Sequence, residues 1–278
     1  MKALILGASG LLGQALRREW SGDEVIGLSV EDVDIRDAAK VREAIEKIRP
    51  EWIVLAAAYT DVDGCESNQE LAFAVNRDGA VHVAQAAERI GARVLFLSSD
   101  YVFDGTKTSA YETDDPRNPQ SVYGRSKAEA EVKLLEELPG CCIVRTAWMF
   151  GTGGKCFPDT ILKLAATRST LDVVNDQRGC PTYSIDLARV IPQLCRKGAS
   201  GIVHATNAGS CSWFEFAREI VRQDGLRTEI RPITTQQMPR PAKRPAYSVL
   251  SPASLNSLGI KMPSWQDAVS RYLEERKG

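Results

Sequence analysis

Along the first half of the chain, short stretches that are apolar throughout alternate with longer stretches in which apolar side chains recur every three or four positions. The apolar runs predict strands at residues 2–6, 25–28, 52–55, 93–97 and 142–145. The periodic stretches predict helices at 11–20, 38–48, 70–90 and 122–138, the last stopped by Pro139-Gly140. Strands with no polar alternation are covered on both faces, which is the condition of a parallel sheet. Strict alternation with helices therefore predicts an α/β fold, a Rossmann-type doubly wound parallel sheet. Beyond residue 150 the pattern loosens. Helices are predicted at 157–168, 184–196, 213–224 and 265–275, a strand at 202–204, and an ordered loop at 232–252, which holds five prolines. This organisation predicts a dinucleotide-binding domain of residues 1–150 and roughly 170–205. A smaller, mixed substrate-binding lobe would take roughly 151–169 and 206–278.

Composition narrows the function classes. Lys and Arg number 35 and Asp and Glu 36, a formal net charge of −1, so nothing points to nucleic acid as a partner. No apolar run is long enough to span a bilayer, and residues 2–6 pass straight into a glycine-rich turn without the features of a secretory signal. The seven cysteines form no CxxC pair and only two histidines accompany them, so free thiols in a reducing cytoplasm are expected, with no metal site.

The turn after the first predicted strand reads Gly7-Ala-Ser9-Gly10-Leu11-Leu12-Gly13 and opens the first predicted helix. Unpaired N–H groups and partial positive charge at a helix start suit a pyrophosphate, and glycines allow the backbone to approach it. The strand-turn-helix setting makes this a nucleotide-binding candidate rather than an ordinary turn. The second strand ends Gly27-Leu28-Ser29, without the acid that would accept the ribose hydroxyl of NAD and without an adjacent arginine. Choice between NADH and NADPH is thus left open. Asp34 and Ile35 lie where the chain would cover an adenine; Asp34 reads equally as a loop aspartate capping the helix from Ala38.

Tyr123-Gly-Arg-Ser-Lys127 falls at the start of a predicted helix, with tyrosine and lysine on one face. One lysine so placed can hold a cofactor ribose and lower the tyrosine pKa from its ordinary value of about 10. Ser99, at the carboxyl end of the fourth strand, is placed to donate a hydrogen bond to a substrate carbonyl, with a loop cap as its plainer role. Ser99, Tyr123 and Lys127 behind a dinucleotide turn resemble the triad of short-chain dehydrogenases/reductases.

The resemblance extends over nearly the whole chain to the dTDP-4-dehydrorhamnose reductase family. Its markers occur in order: the glycine turn, Ala56-Ala57-Ala58-Tyr59-Thr-Asp-Val-Asp63, Ala74-Val-Asn76, Ser98-Ser99-Asp100-Tyr101-Val-Phe103, Tyr123 to Lys127, Arg145-Thr-Ala-Trp148, Asp176 to Thr182, Gly201 to Asn207, and Arg244 to Ser251. The resemblance implies that Ala57, Ala58 and Tyr59 line the cofactor, that Ser99, Tyr123 and Lys127 are catalytic, and that Asp100, Tyr101 and Trp148 contact the sugar nucleotide. Trp148 has a core aromatic as its alternative. Arg244 reads as a diphosphate partner or a surface ion pair. Thr182 reads as a nucleotide contact or a cap for the helix from Ser184. Ala15 stands where some members carry a metal-binding glutamate at a dimer interface, which leaves monomer or homodimer open. Cys156 replaces an asparagine before Phe157, and Ser99 a threonine. The implied activity is NADPH- or NADH-dependent reduction of the C4 keto group of a dTDP-sugar, dTDP-4-dehydro-L-rhamnose. The alternatives are a related nucleotide-sugar epimerase or dehydratase, and a non-catalytic subunit resembling the regulatory subunit of methionine adenosyltransferase.

Overall fold

The computed structural model describes residues 1–277. Its first half alternates as the pattern predicts. β1 (Lys2–Leu6) leads through the glycine turn into α1 (Leu11–Glu19), followed by β2 (Glu24–Leu28), α2 (Ala38–Ile48) and β3 (Trp52–Leu55). The predicted helix at 70–90 is interrupted. Two short helices, α3 (Val62–Ser67) and α4 (Gln69–Phe73), lead into a π-helical turn at Ala74–Asp78, and only then comes α5 (Gly79–Ile90). β4 (Arg93–Ser99), α6 (Val122–Glu137) and β5 (Cys142–Thr146) complete this half.

The second half contains β6 (Met149–Phe150), α7 (Phe157–Ala165), β7 (Thr170–Val174), β8 (Arg178–Gly179), β9 (Thr182–Tyr183), α8 (Ser184–Arg196) and β10 (Gly201–His204). It ends with β11 (Cys211–Ser212), α9 (Trp213–Gln223), β12 (Glu229–Ile233), α10 (Ala253–Ser257) and α11 (Trp265–Lys277). β7 and β12 pair in parallel as a separate two-stranded sheet, which the apolar pattern did not predict. β12 overlaps the start of the segment 232–252 predicted to be loop, and Pro232 is tolerated there because the pair has open edges.

Six strands form one parallel sheet in the order β10-β5-β4-β3-β1-β2. β3 is buried at every position, as are β5 and all of β4 after Arg93. One apolar cluster lies on each side of the sheet: Ala3, Ile5, Leu16, Val54 and Leu95 on one, Leu4, Val41, Ile53, Val83 and Phe96 on the other. Burying each large aliphatic or aromatic side chain contributes roughly 1.5–3 kcal/mol, so the sheet is a rigid frame. The chain runs from β1 outward to β2, then returns to the other side of β1 as β3. That reversal opens a crevice at the carboxyl ends of β1 and β3, where ligands bind in such folds.

Candidate active site

The glycine turn lies at this crevice. Gly7 has φ +93°, and a Cβ on it would stand 2.5 Å from the Ala57 nitrogen, so only glycine lets the turn pack on the segment after β3. α1 begins at an N-cap, Gly10, that supplies no side-chain acceptor to the first-turn N–H groups. Those donors fit an anion. Gln14 steadies the turn, donating to the carbonyls of Ser9 at 2.7 Å and Gly153 at 2.9 Å. Ser9 and Gly10 are exposed, whereas Leu12 and Ile35 are core residues.

Asp34 is engaged by Arg36, whose Nε lies 3.0 and 2.9 Å from its two oxygens. The cap of α2 is Asp37, which accepts from the N–H groups of Ala39 and Lys40, so the capping role considered for Asp34 falls to its neighbour. Asp32, which follows β2, accepts from Ser29 N and Oγ, both at 2.8 Å.

Ala57, Ala58 and Tyr59 follow β3 and are pinned by Asn76. Its Oδ1 accepts the Tyr59 N–H at 2.8 Å, and its Nδ2 donates to Tyr59 O at 3.1 Å and Ser126 Oγ at 2.9 Å. Ser126 Oγ in turn donates to Tyr123 O. Asn76 sits in the π-helical turn and is 1% exposed. The extra residue of such a turn re-aims side chains, which explains why an uninterrupted helix was the wrong expectation here. Asn76 was legible only as part of a motif; its clamp on the site was missed.

α6 carries Tyr123 and Lys127. Ser121 caps it by accepting the Gly124 N–H, and Glu66 of α3 accepts the Val122 N–H at 2.8 Å. A Cβ on Gly124 would lie 2.2 Å from Tyr101 O, so glycine is required for α6 to approach the end of β4. This approach sets Tyr123 beside Ser99, and the Tyr101 and Tyr123 rings meet edge-on at 5.6 Å. Burial holds the Tyr123 phenol well above its ordinary pKa, partly offset by hydrogen bonding to Ser99. Burial also lowers Lys127 to about 7, against a raising effect of Glu131. The Lys127 ammonium lies 4.1 Å from the Phe96 ring centroid.

Ser99 ends β4 and pairs in register with Thr146 of β5. Its Oγ donates to Asp100 Oδ1 at 3.0 Å and accepts the Tyr101 N–H at 3.2 Å, the latter being the loop-cap role foreseen as its alternative. Thr146 Oγ1 is buried without a hydrogen-bond partner. Behind these residues Arg145 and Glu131, both fully buried, form a bidentate pair at 2.9 and 2.7 Å. Ser98 Oγ donates to the same carboxylate at 2.5 Å, which ties α6 to β4 and β5.

The residues expected around the sugar nucleotide are only partly brought together. Asp100 and Tyr101 adjoin Ser99 and Tyr123. Trp148 is half-buried with φ +46°, and its ring stacks on Trp213 at 3.5 Å and 6°. Arg244 is paired with Asp63, at 2.9 Å through Nη2, donates to Ala242 O at 2.7 Å, and also hydrogen-bonds the Tyr101 side chain. Thr182 is fully buried and its Oγ1 donates to Cys180 O at 3.2 Å. The N-cap of α8 is Tyr183, so the Thr182 side chain does not cap that helix. Cys156 Sγ turns inward, 3.6 Å from both Gly151 O and the Tyr272 hydroxyl. All seven cysteines are buried and free. Among the described residues no cluster of His, Cys, Asp and Glu is placed to hold a metal, and no helix is long and apolar enough to cross a membrane.

Comparison with known proteins agrees with this geometry. The family model described as RmlD substrate binding domain matches residues 1–277. The spore coat polysaccharide biosynthesis protein SpsK of Bacillus subtilis is 41% identical over 99% of this chain and 98% of its own. The crystal structure of a dTDP-4-dehydrorhamnose reductase from Clostridium acetobutylicum superposes with a TM-score of 0.98 at 38% identity, covering 100% of both chains. The dTDP-4-dehydrorhamnose reductase of Bacillus anthracis, solved in complex with NADP, gives 0.96 at 35% identity over 99% of this chain and 100% of that one. The chain therefore belongs to the dTDP-4-dehydrorhamnose reductase family.

Proposed function

We propose that this protein reduces the C4 keto group of dTDP-4-dehydro-L-rhamnose to give dTDP-L-rhamnose, using NADPH or NADH. The observation that carries this reading is Tyr123 set beside Ser99 at the carboxyl end of β4, with Lys127 one helical turn further along α6. Gly7 to Gly13 would hold the pyrophosphate on the N-terminus of α1, and Ala57 to Tyr59 would flank the cofactor. When bound, the dihydronicotinamide supplies the hydrogen and two electrons that reduce C4. Burial keeps Tyr123 protonated in the resting site, which arms it as a proton donor. Its phenolic proton goes to O4 as negative charge develops there. Lys127, one helical turn away, stabilises the phenolate left behind when it is charged, and holds the cofactor ribose. Ser99 hydrogen-bonds O4 and fixes its orientation.

Asp100, Tyr101 and Trp148 contact the sugar nucleotide in this reading. Residues 1–150 and roughly 170–205 form the cofactor domain, and the remainder the substrate lobe. Seven reduced thiols suit a cytoplasmic enzyme. Product analysis tests the assignment. Incubation with the keto sugar and NADPH or NADH is expected to yield dTDP-L-rhamnose, identified by proton NMR. A product of opposite configuration at C4, or unchanged keto sugar, overturns it.

A further inference from the structure

Asp100 is 1% exposed and sits between two hydroxyl groups. Ser99 Oγ donates to Oδ1 at 3.0 Å, and Ser248 Oγ donates to Oδ2 at 2.6 Å. Ser248 is itself 1% exposed and belongs to the segment between β12 and α10, far from Asp100 in sequence. Ser99 Oγ also accepts the Tyr101 N–H and faces the Tyr123 hydroxyl.

A serine hydroxyl has one hydrogen, and an ionised carboxylate only accepts. While Asp100 is charged, it takes the Ser99 hydrogen, and Ser99 has none to offer a substrate oxygen. Once Asp100 carries a proton, its O–H donates to Ser99 Oγ, and the Ser99 hydrogen turns toward the substrate. We propose that Asp100 is a proton switch that sets the donor direction of Ser99, and that Ser248 tunes it by stabilising the carboxylate. The proposal rests on the reductase reading and adds a positioning role to the sugar contact assigned to Asp100.

The surroundings suit a switch. Burial raises Asp100 to about 6, while hydrogen bonds from Ser248 and Ser99 pull it down. Tyr101 beside it, Tyr123 from α6 and Cys180 from between β8 and β9 are the other acids that feel its charge. All three are held neutral by burial, Cys180 up to about 11. Lys127, also on α6, is the second catalytic group that titrates near neutrality, at about 7.

The sign follows from the competent form being protonated: kcat falls as pH rises through the Asp100 range, and falls again as Lys127 loses its proton. The test is the pH profile of kcat for the full-length enzyme, with wild-type turnover serving as the separate check on the reductase reading. Ser248→Ala removes a hydrogen bond to the carboxylate, and is expected to move the Asp100 fall upward by about one pH unit, so that it merges with the Lys127 fall into a single fall near neutrality. Asp100→Asn keeps an N–H for Ser99 but cannot ionise, so the first fall is expected to vanish and the Lys127 fall to remain. A merely structural role for Ser248 would lower kcat equally at every pH. That result, or a first fall that persists in Asp100→Asn, overturns the switch.

Discussion

Tyr123 is partly buried beside Ser99, and its neighbours decide its role more than its own chemistry does. Replacing it with phenylalanine keeps the ring and removes the proton, so kcat is expected to fall by roughly 10²–10⁴-fold with little change in cofactor affinity. Steady-state kinetics with a binding titration checks both halves. The residues proposed to carry the chemistry were legible in the sequence because a strand end, a helix start and a four-residue spacing fix their geometry locally. What supports them was not. Glu131 and Arg145 meet across the site only after α6 folds onto the sheet. Glu131→Gln leaves the buried Arg145 charge without its carboxylate and is expected to cost about 3–5 kcal/mol, measured by urea unfolding, whereas Arg145→Met leaves Glu131 still paired with Arg117 and is expected to cost less. A loss below about 1 kcal/mol in Glu131→Gln would mean that the pair is not buried in solution. Arg244 adds a long-range contact of the same kind, pairing with Asp63, 181 residues away in sequence, and hydrogen-bonding Tyr101.

At the scale of elements, local pattern predicted most of the secondary structure and failed where tertiary contacts override it. Residues 70–90 carry a helical pattern throughout, but Asn76 satisfies two backbone groups of Tyr59 and the chain takes a π-helical turn to let it do so. Asn76→Ala leaves those groups unpaired, so the loop at Ala57–Tyr59 should loosen, weakening NADPH binding by roughly tenfold or more. Isothermal titration measures this, and unchanged affinity would contradict the clamp. β7 and β12 escaped notice for a different reason. They are short and partly exposed, one contains a proline, and pairing across more than fifty residues leaves no periodic signal.

The whole molecule is a parallel sheet whose reversal between β1 and β3 places the nucleotide turn, and whose next strands, β4 and β5, bring Ser99 and Thr146 to the same edge. Covered strands and strict alternation made this frame readable from the sequence, while the packing of the second half depends on contacts that pattern does not encode. The frame also buries His204, which is held neutral near Arg145 and lowered from 6.5 to about 3. The unfolded chain therefore binds a proton that the folded one refuses between those values, and stability falls as pH drops from 6.5 toward 3. Asp100, raised from 3.8 to about 6, has the opposite slope over a narrower range. Chemical denaturation at pH 7 and pH 5 should show a net acid loss that shrinks in His204→Gln; an equal loss in both proteins would assign it to other groups.

The central claim is that this site reduces a nucleotide-linked 4-keto sugar by proton donation from Tyr123. The measurement that tests it most directly is NADPH oxidation at 340 nm (roughly the absorption band of the reduced nicotinamide) with dTDP-4-dehydro-6-deoxyhexose and the 3,5-epimerase, for wild type and Tyr123→Phe. The account predicts rapid oxidation by wild type, matched by dTDP-L-rhamnose formed, and a loss of at least about 100-fold in the variant. Wild-type protein that binds NADPH yet leaves the sugar unreduced, or a variant that turns over at the wild-type rate, would contradict it.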